Sequence, residues 1–86
     1  MGISVKVVFF ASIREDLDCS ELLVKLPSGS RITALITHLT QQRGEPWQQA
    51  LTAENVRVAV NTELTREDCR IEDGDEVAFF PPVTGG

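Results

Sequence analysis

Residues 5–10 form an apolar, β-branched and aromatic run broken only by Lys6, which predicts a strand. Side chains of a strand leave by alternate faces, so Val5, Val7 and Phe9 share one face and Lys6, Val8 and Phe10 the other, and the charge of Lys6 marks its face as the outer one. Residues 21–26 repeat the pattern, with Leu22, Val24 and Leu26 facing inward and Glu21, Leu23 and Lys25 outward. The polar stretch between them, Ala11 to Cys19, reads as a loop. Pro27-Ser28-Gly29 is a turn, after which the period changes. Ile32, Leu35, Ile36 and Leu39 lie at i, i+3, i+4 and i+7, the stripe of an amphipathic helix. Ser30 is its expected N-cap, and Gly44 with Pro46 its stop. Pro46 opens a short second helix with Trp47, Ala50 and Leu51 on its inner side. Alternation returns where Val56, Val58 and Val60 interleave with Arg57 and Ala59. Asn61-Thr62 is a tight turn into a short strand around Glu63 and Leu64. Asp73-Gly74-Asp75 turns the chain again, and Glu76 to Phe80 is the last strand, with Val77 and Phe79 inward and Glu76, Ala78 and Phe80 outward.

This order, ββαββ with an extra short helix and one very short strand, predicts an α+β domain. A helix crossing from an N-terminal hairpin to later strands makes the sheet mixed, with four to five strands packed on one main helix. The first and last strands become parallel neighbours at its centre. That is the β-grasp, or ubiquitin-like, arrangement, expected over residues 1–80 with an extended tail over 81–86. One helix covers only one face. On the other face Phe10 and Phe80 should come together, joined by Leu64 from the edge strand. An exposed apolar patch of this kind marks a partner site.

Composition narrows the choice of partner. A chain of 86 residues makes one small domain, burying roughly 60% of its unfolded surface. The net charge is −5, and Lys6, Arg14, Lys25, Arg31, Arg43, Arg57, Arg66 and Arg70 are scattered. Nucleic acid and anionic membranes need a concentrated basic face, so both are argued against. A basic protein partner is favoured instead. Cys19 and Cys69 form no metal-ligand spacing; reduced thiols are expected, and a disulfide stays open. With no signal peptide and no long apolar run, the expected location is the cytoplasm. The interior offers no catalytic constellation, and neither a metal nor a bound cofactor is expected. His38, the single histidine, points away from the helix stripe. The acidic pairs Glu15/Asp16 and Asp73/Asp75 sit in loops and turns, and the glycines lack phosphate-loop spacing.

The ending carries the chemistry that the interior lacks. Proline locks φ and cannot donate to a ladder, so Pro81-Pro82 ejects the chain from the sheet in extended form. Val83-Thr84 is uncharged, and Gly85-Gly86 can enter a channel too narrow for any side chain. Such a tail suits the main-chain carboxylate of Gly86, presented to another protein's active site.

The fourteen residues from Asp73 to Gly86 are similar, nearly residue for residue, to the ending of the small subunits of molybdopterin synthases, a family of ubiquitin-like sulfur carriers. Val7-Val8-Phe9-Phe10-Ala11 followed by Arg14-Glu15 resembles the family's opening strand and loop, and Ala59-Val60-Asn61 with Leu64 its later strand pair. The resemblance implies the same β-grasp fold and a carrier that is not an enzyme alone. It implies that an E1-like adenylating enzyme activates Gly86 with ATP and that a sulfur donor protein converts the acyl-adenylate to a thiocarboxylate. The synthase large subunit, in a heterotetramer with the carrier, then takes the sulfur for the pyranopterin precursor of the molybdenum cofactor. In the family, partners grip the patch that corresponds to Phe10, Leu64 and Phe80, with Arg14 on the polar rim. Three alternatives remain open: a carrier for thiazole or another sulfur product, a ubiquitin-like protein modifier, and a plain interaction domain.

Overall fold

The computed structural model describes residues 2–54, 56–65 and 68–81. The chain runs β1 (Gly2–Phe9), α1 (Ala11–Leu17), β2 (Glu21–Pro27), α2 (Ile32–Arg43), α3 (Glu45–Thr52), β3 (Arg57–Val60), β4 (Glu63–Thr65) and β5 (Glu76–Phe80). The strands form one five-stranded sheet in the order β2-β1-β5-β3-β4. β1 and β5 are parallel and every other pairing is antiparallel, so the sheet is mixed.

Alternation in the sequence sets the register of the centre. Val7 lies opposite Val77 and Phe9 opposite Phe79. Val5, Val7, Phe9, Val77 and Phe79 are each no more than 1% exposed. The Phe9 ring stacks on Phe79 at 5.9 Å and meets Trp47 edge-on at 5.3 Å. Ile13, Leu17, Leu35, Leu39, Trp47 and Leu51 from the three helices join the same cluster. The helices therefore sit on the inner face of the sheet, and no described element covers its outer face.

Two local expectations are corrected. Ala11 to Cys19 is not a loop: Ala11–Leu17 is helical, which gives three helices where two were expected. Ile13 and Leu17 are one turn apart and buried, while Arg14, Glu15 and Asp16 face solvent. Two buried residues in seven are too few for periodicity to reveal, and packing against the core supplies what propensity does not. Ser30 is not the N-cap of α2 either. Arg31 occupies that position, and the Ser30 hydroxyl donates to the Pro27 carbonyl at 2.6 Å. The cap comes from a distant part of the chain. Asp68 accepts from the Thr33 N–H and from the Thr33 hydroxyl, both at 2.8 Å. Arg31 donates to the Asp68 carbonyl at 2.9 Å, and Ile71 N–H to the Ser30 carbonyl at 2.9 Å. The start of α2 is thus tied to the segment that leads into β5.

The turns are built from side chains that read the backbone. Asn61 and Thr62 both take positive φ, 51° and 71°, and join β3 to β4. Asn61 tolerates that conformation, and its amide also bridges strands. It donates to Asp75 at 2.8 Å and accepts from the Glu76 N–H at 2.9 Å. Asp73 accepts from the Ser4 N–H at 2.7 Å.

The Asp68 cap yields a pH signature. The Thr33 N–H, then the Thr33 hydroxyl, hold this exposed carboxyl below its ordinary 3.8, and the Arg31 charge adds to them. Folding thus favours the carboxylate. The stabilisation is complete above the unfolded value and is lost as pH falls through the lower folded value. Asp68→Asn should be less stable than the parent in urea denaturation at pH 7. The difference should shrink as the pH is lowered through the acidic range; a pH-independent difference would refute the charged cap.

Candidate functional site

The outer face has a hydrophobic centre at the end where β5 stops, beside Pro81. Phe10 follows β1 in extended conformation, with φ −119° and ψ 153°. Its N–H donates to the Phe79 carbonyl at 3.1 Å, carrying the β1–β5 ladder one residue further. That bond holds Phe10 beside Phe80. Their rings stack at 4.8 Å with an interplanar angle of 3°. Phe10 is 40% exposed and Leu64 70% exposed. Phe80 is half-buried and not largely exposed as expected from alternation alone, because the Phe10 ring lies against it.

Between these walls the floor is shallow. Ala59 and Ala78 face each other across β3 and β5, and Leu64 lies opposite Ala59 on β4. By register both alanines point outward, yet they are only 3% and 7% exposed. A methyl group is short enough for its larger neighbours to shade it. The result is a groove of about 550 Å³ lined by Phe10, Arg57, Ala59, Leu64, Ala78 and Phe80, with Pro81 at its end. Arg57 lies opposite Phe80 in the β3–β5 register and supplies a rim cation; Glu76 supplies an anion.

The residues singled out from sequence fall in different places. Phe10, Leu64 and Phe80 are gathered in the groove, and Pro81 is half-buried where it ends. Arg14 is exposed on α1, its N–H donating to the Phe10 carbonyl at 3.4 Å. It does not line the groove. Pro82, Val83, Thr84, Gly85 and Gly86 lie outside the described residues. Arg57 was missed as a rim residue, although its alternation with Val58 puts it on the same face as Ala59. The paired small residues that make the face concave could be recognised only once β3 was known to neighbour β5.

What the arrangement can do is bind. An apolar centre with a charged rim is the anatomy of a protein interface. Among the described residues no three His, Cys, Asp or Glu side chains converge as metal ligands. Cys19 and Cys69 are free thiols, both half-buried. Among the described residues no helix is long and apolar enough to cross a membrane.

The fold is that of the ubiquitin-like β-grasp proteins. Residues 7–86 match the ThiS family. The molybdopterin synthase sulfur carrier subunit of Escherichia coli K12 is 43% identical over 84 residues, covering 95% of this chain and 99% of its own. A solved structure described as a putative molybdopterin converting factor subunit 1 from Pyrococcus furiosus superimposes with a TM-score of 0.74 at 30% identity, covering 94% of this chain and 99% of that one. A complex of subunits 1 and 2 of the molybdopterin-converting factor from Helicobacter pylori contains a chain with a TM-score of 0.69 at 26% identity, covering 98% of this chain and 100% of that one. This chain belongs to the ThiS family of β-grasp proteins.

Adjacent phenylalanines on β5 should respond differently to truncation. Phe79→Ala empties a fully buried site and should cost about 3–5 kcal/mol in denaturant unfolding. Phe80→Ala removes a half-buried ring and its stack on Phe10, and should cost about 1–2 kcal/mol. Equal losses would mean that the outer face is packed like the core.

Proposed function

We propose that this chain is the sulfur carrier subunit of a molybdopterin synthase and that its reactive group is the main-chain carboxylate of Gly86. The observation that carries the reading is the apolar groove that reaches Pro81 at the end of β5: the surface a partner can hold adjoins the first residue of the sequence Pro81-Pro82-Val83-Thr84-Gly85-Gly86. The relatives of that name, matched over nearly the whole chain, support it.

A carboxylate is anionic and resonance-stabilised, hence a poor electrophile. An E1-like enzyme overcomes this with ATP, forming an acyl-adenylate at Gly86 and releasing pyrophosphate. Sulfide-level sulfur delivered by a sulfur donor protein attacks the acyl carbon, AMP leaves with the electron pair of the broken acyl–phosphate bond, and the product is a thiocarboxylate. The tail then enters the large subunit, where its sulfur passes to the pyranopterin precursor. Binding of the groove fixes the position of Pro81, and the tail sets the distance from there to the reacting carbon. Reaction requires approach to ~3–3.5 Å, and each residue of extended chain adds up to ~3.5 Å, so tail length is part of the chemistry. Catalytic side chains belong to the partners, and the carrier works in the cytoplasm without a cofactor of its own. Phe10, Leu64 and Phe80 anchor the large subunit in a heterotetramer, with Arg57 on the rim of the groove and Arg14 outside it, on α1, as a further polar contact.

The test combines mass and binding measurements. Intact chain co-produced with its activating enzyme and sulfur donor should gain the mass of one sulfur-for-oxygen exchange at Gly86. A chain lacking Gly86 should fold, gain no sulfur and support no synthase activity. An isopeptide conjugate to lysine in place of the thiocarboxylate would select the protein-modifier reading. Phe80→Ala should weaken binding to the large subunit by about 2 kcal/mol or more, and Leu64→Ala in the same direction but less. Unchanged affinity in both variants would remove the groove from the proposal.

A further inference from the structure

Among the described residues β2 is the outermost strand on one side of the sheet, paired with β1 alone. The Phe9 N–H donates to the Ser20 carbonyl at 2.9 Å, and in an antiparallel ladder the hydrogen-bonded pairs alternate. With Val7 opposite Leu22, Val5 opposite Val24 and Ile3 opposite Leu26, the even-numbered residues of β2 turn their peptide groups toward β1. The peptide groups of Glu21, Leu23 and Lys25 therefore face the free edge. Their side chains share the outer face, and all three residues are exposed, Leu23 at 82%.

We propose that this edge pairs with a second copy of the chain, β2 against β2, antiparallel, with Leu23 on the two-fold axis. In that register Glu21 of each copy faces the partner's Lys25, and Leu23 faces the partner's Leu23. The outward N–H groups of all three residues donate to outward carbonyls of the other copy, and their carbonyls accept in return, in phase. A slip of two residues in one direction sets Lys25 against the partner's Cys19 and Glu21 against the partner's Leu23. A slip of two in the other sets Glu21 against the partner's Pro27, which has no N–H to give. A slip of one residue offers peptide groups already bonded to β1 and turns inner side chains outward. Charge, peptide phase and strand direction thus select a single register.

Neighbouring groups fit this pairing. Lys6 lies 3.2 Å from Glu21, so each Glu21 sits between Lys6 and the partner's Lys25. The Cys19 thiol approaches the Glu21 carbonyl at 3.6 Å, and that oxygen keeps a second lone pair for the edge. A lysine on an edge strand ordinarily guards against pairing; here the facing position holds a carboxylate, and repulsion becomes attraction. The contact is small and belongs to the transient class of interfaces. It joins the two sheets edge to edge and leaves the groove over β5, β3 and β4 open. The inference does not depend on the sulfur-carrier reading.

Sedimentation of the full chain in a concentration series up to about 1 mM, the range for weak association, is the test. The parent should dimerise. K25E sets two glutamates face to face and E21K two lysines, and each variant alone should lose at least about tenfold in affinity. An equimolar mixture of the two should regain it, because each introduced charge meets its opposite. Amide exchange at Leu23 and Lys25 should slow as the concentration of parent rises. Circular dichroism should find both variants folded, since both sites are exposed. A parent that stays monomeric throughout, variants that dimerise as tightly as the parent, or a mixture no tighter than its components would each overturn the proposal.

Discussion

Val7 against Val77 and Phe9 against Phe79 fix the interior and the working surface of this domain together. Successive side chains on a strand leave by opposite faces, so an inward Phe79 obliges an outward Phe80. The same rule applied to β1 sends Phe9 in and Phe10 out. Because the two strands are parallel and adjacent, the two outward rings come to lie in contact. A slip of one residue would exchange core and surface at once. The stacked pair on the outer face is therefore secured by the apolar side chains that fill the opposite face.

The acidic excess has an unexpected share of structural work. Asp68 caps α2 from a distance, Asp73 holds the N-terminal strand through Ser4, and Asp75 receives both Asn61 and the Glu72 N–H. These carboxylates lie near the surface and accept from donors that a thin core cannot cover. A net charge of −5 is thus only partly a statement about partners. The rim of the groove carries both signs, Arg57 and Glu76, so its complementarity is local and does not follow from the overall charge.

β1 and β2 were legible in the sequence because their covered and exposed positions alternate, and β3 and β5 because Val58, Val60, Val77 and Phe79 mark the inward face, although Ala59 and Ala78 on the outward face are shaded as well. The crossover helix was legible because its stripe runs through Ile32, Leu35, Ile36 and Leu39. α1 was hidden because two buried residues in seven make no period, and its helical form depends on the core beneath it. The true cap of α2 was hidden because Asp68 lies 35 residues beyond Thr33, where no local rule looks. Phe10, Leu64 and Phe80 could be placed on one face by counting alternation. The alanine floor and the Arg57 rim needed the order of the strands, which is a property of the tertiary fold.

The strand at the heart of the sheet is the last of the five described strands to be synthesised. β5 separates β1 from β3 and bonds to both. While a ribosome is still making residues 66–75, the β1–β2 hairpin can form and the helices can gather on it, but the β3–β4 hairpin has no sheet to join. Contacts this far apart in sequence close slowly, since a long loop must be ordered before they form. Phe10 is made early and waits for Phe80 to complete its stack. A protein that recognises the pair consequently meets only chains whose assembly has finished, and a nascent or partly unfolded copy offers it one ring without the other.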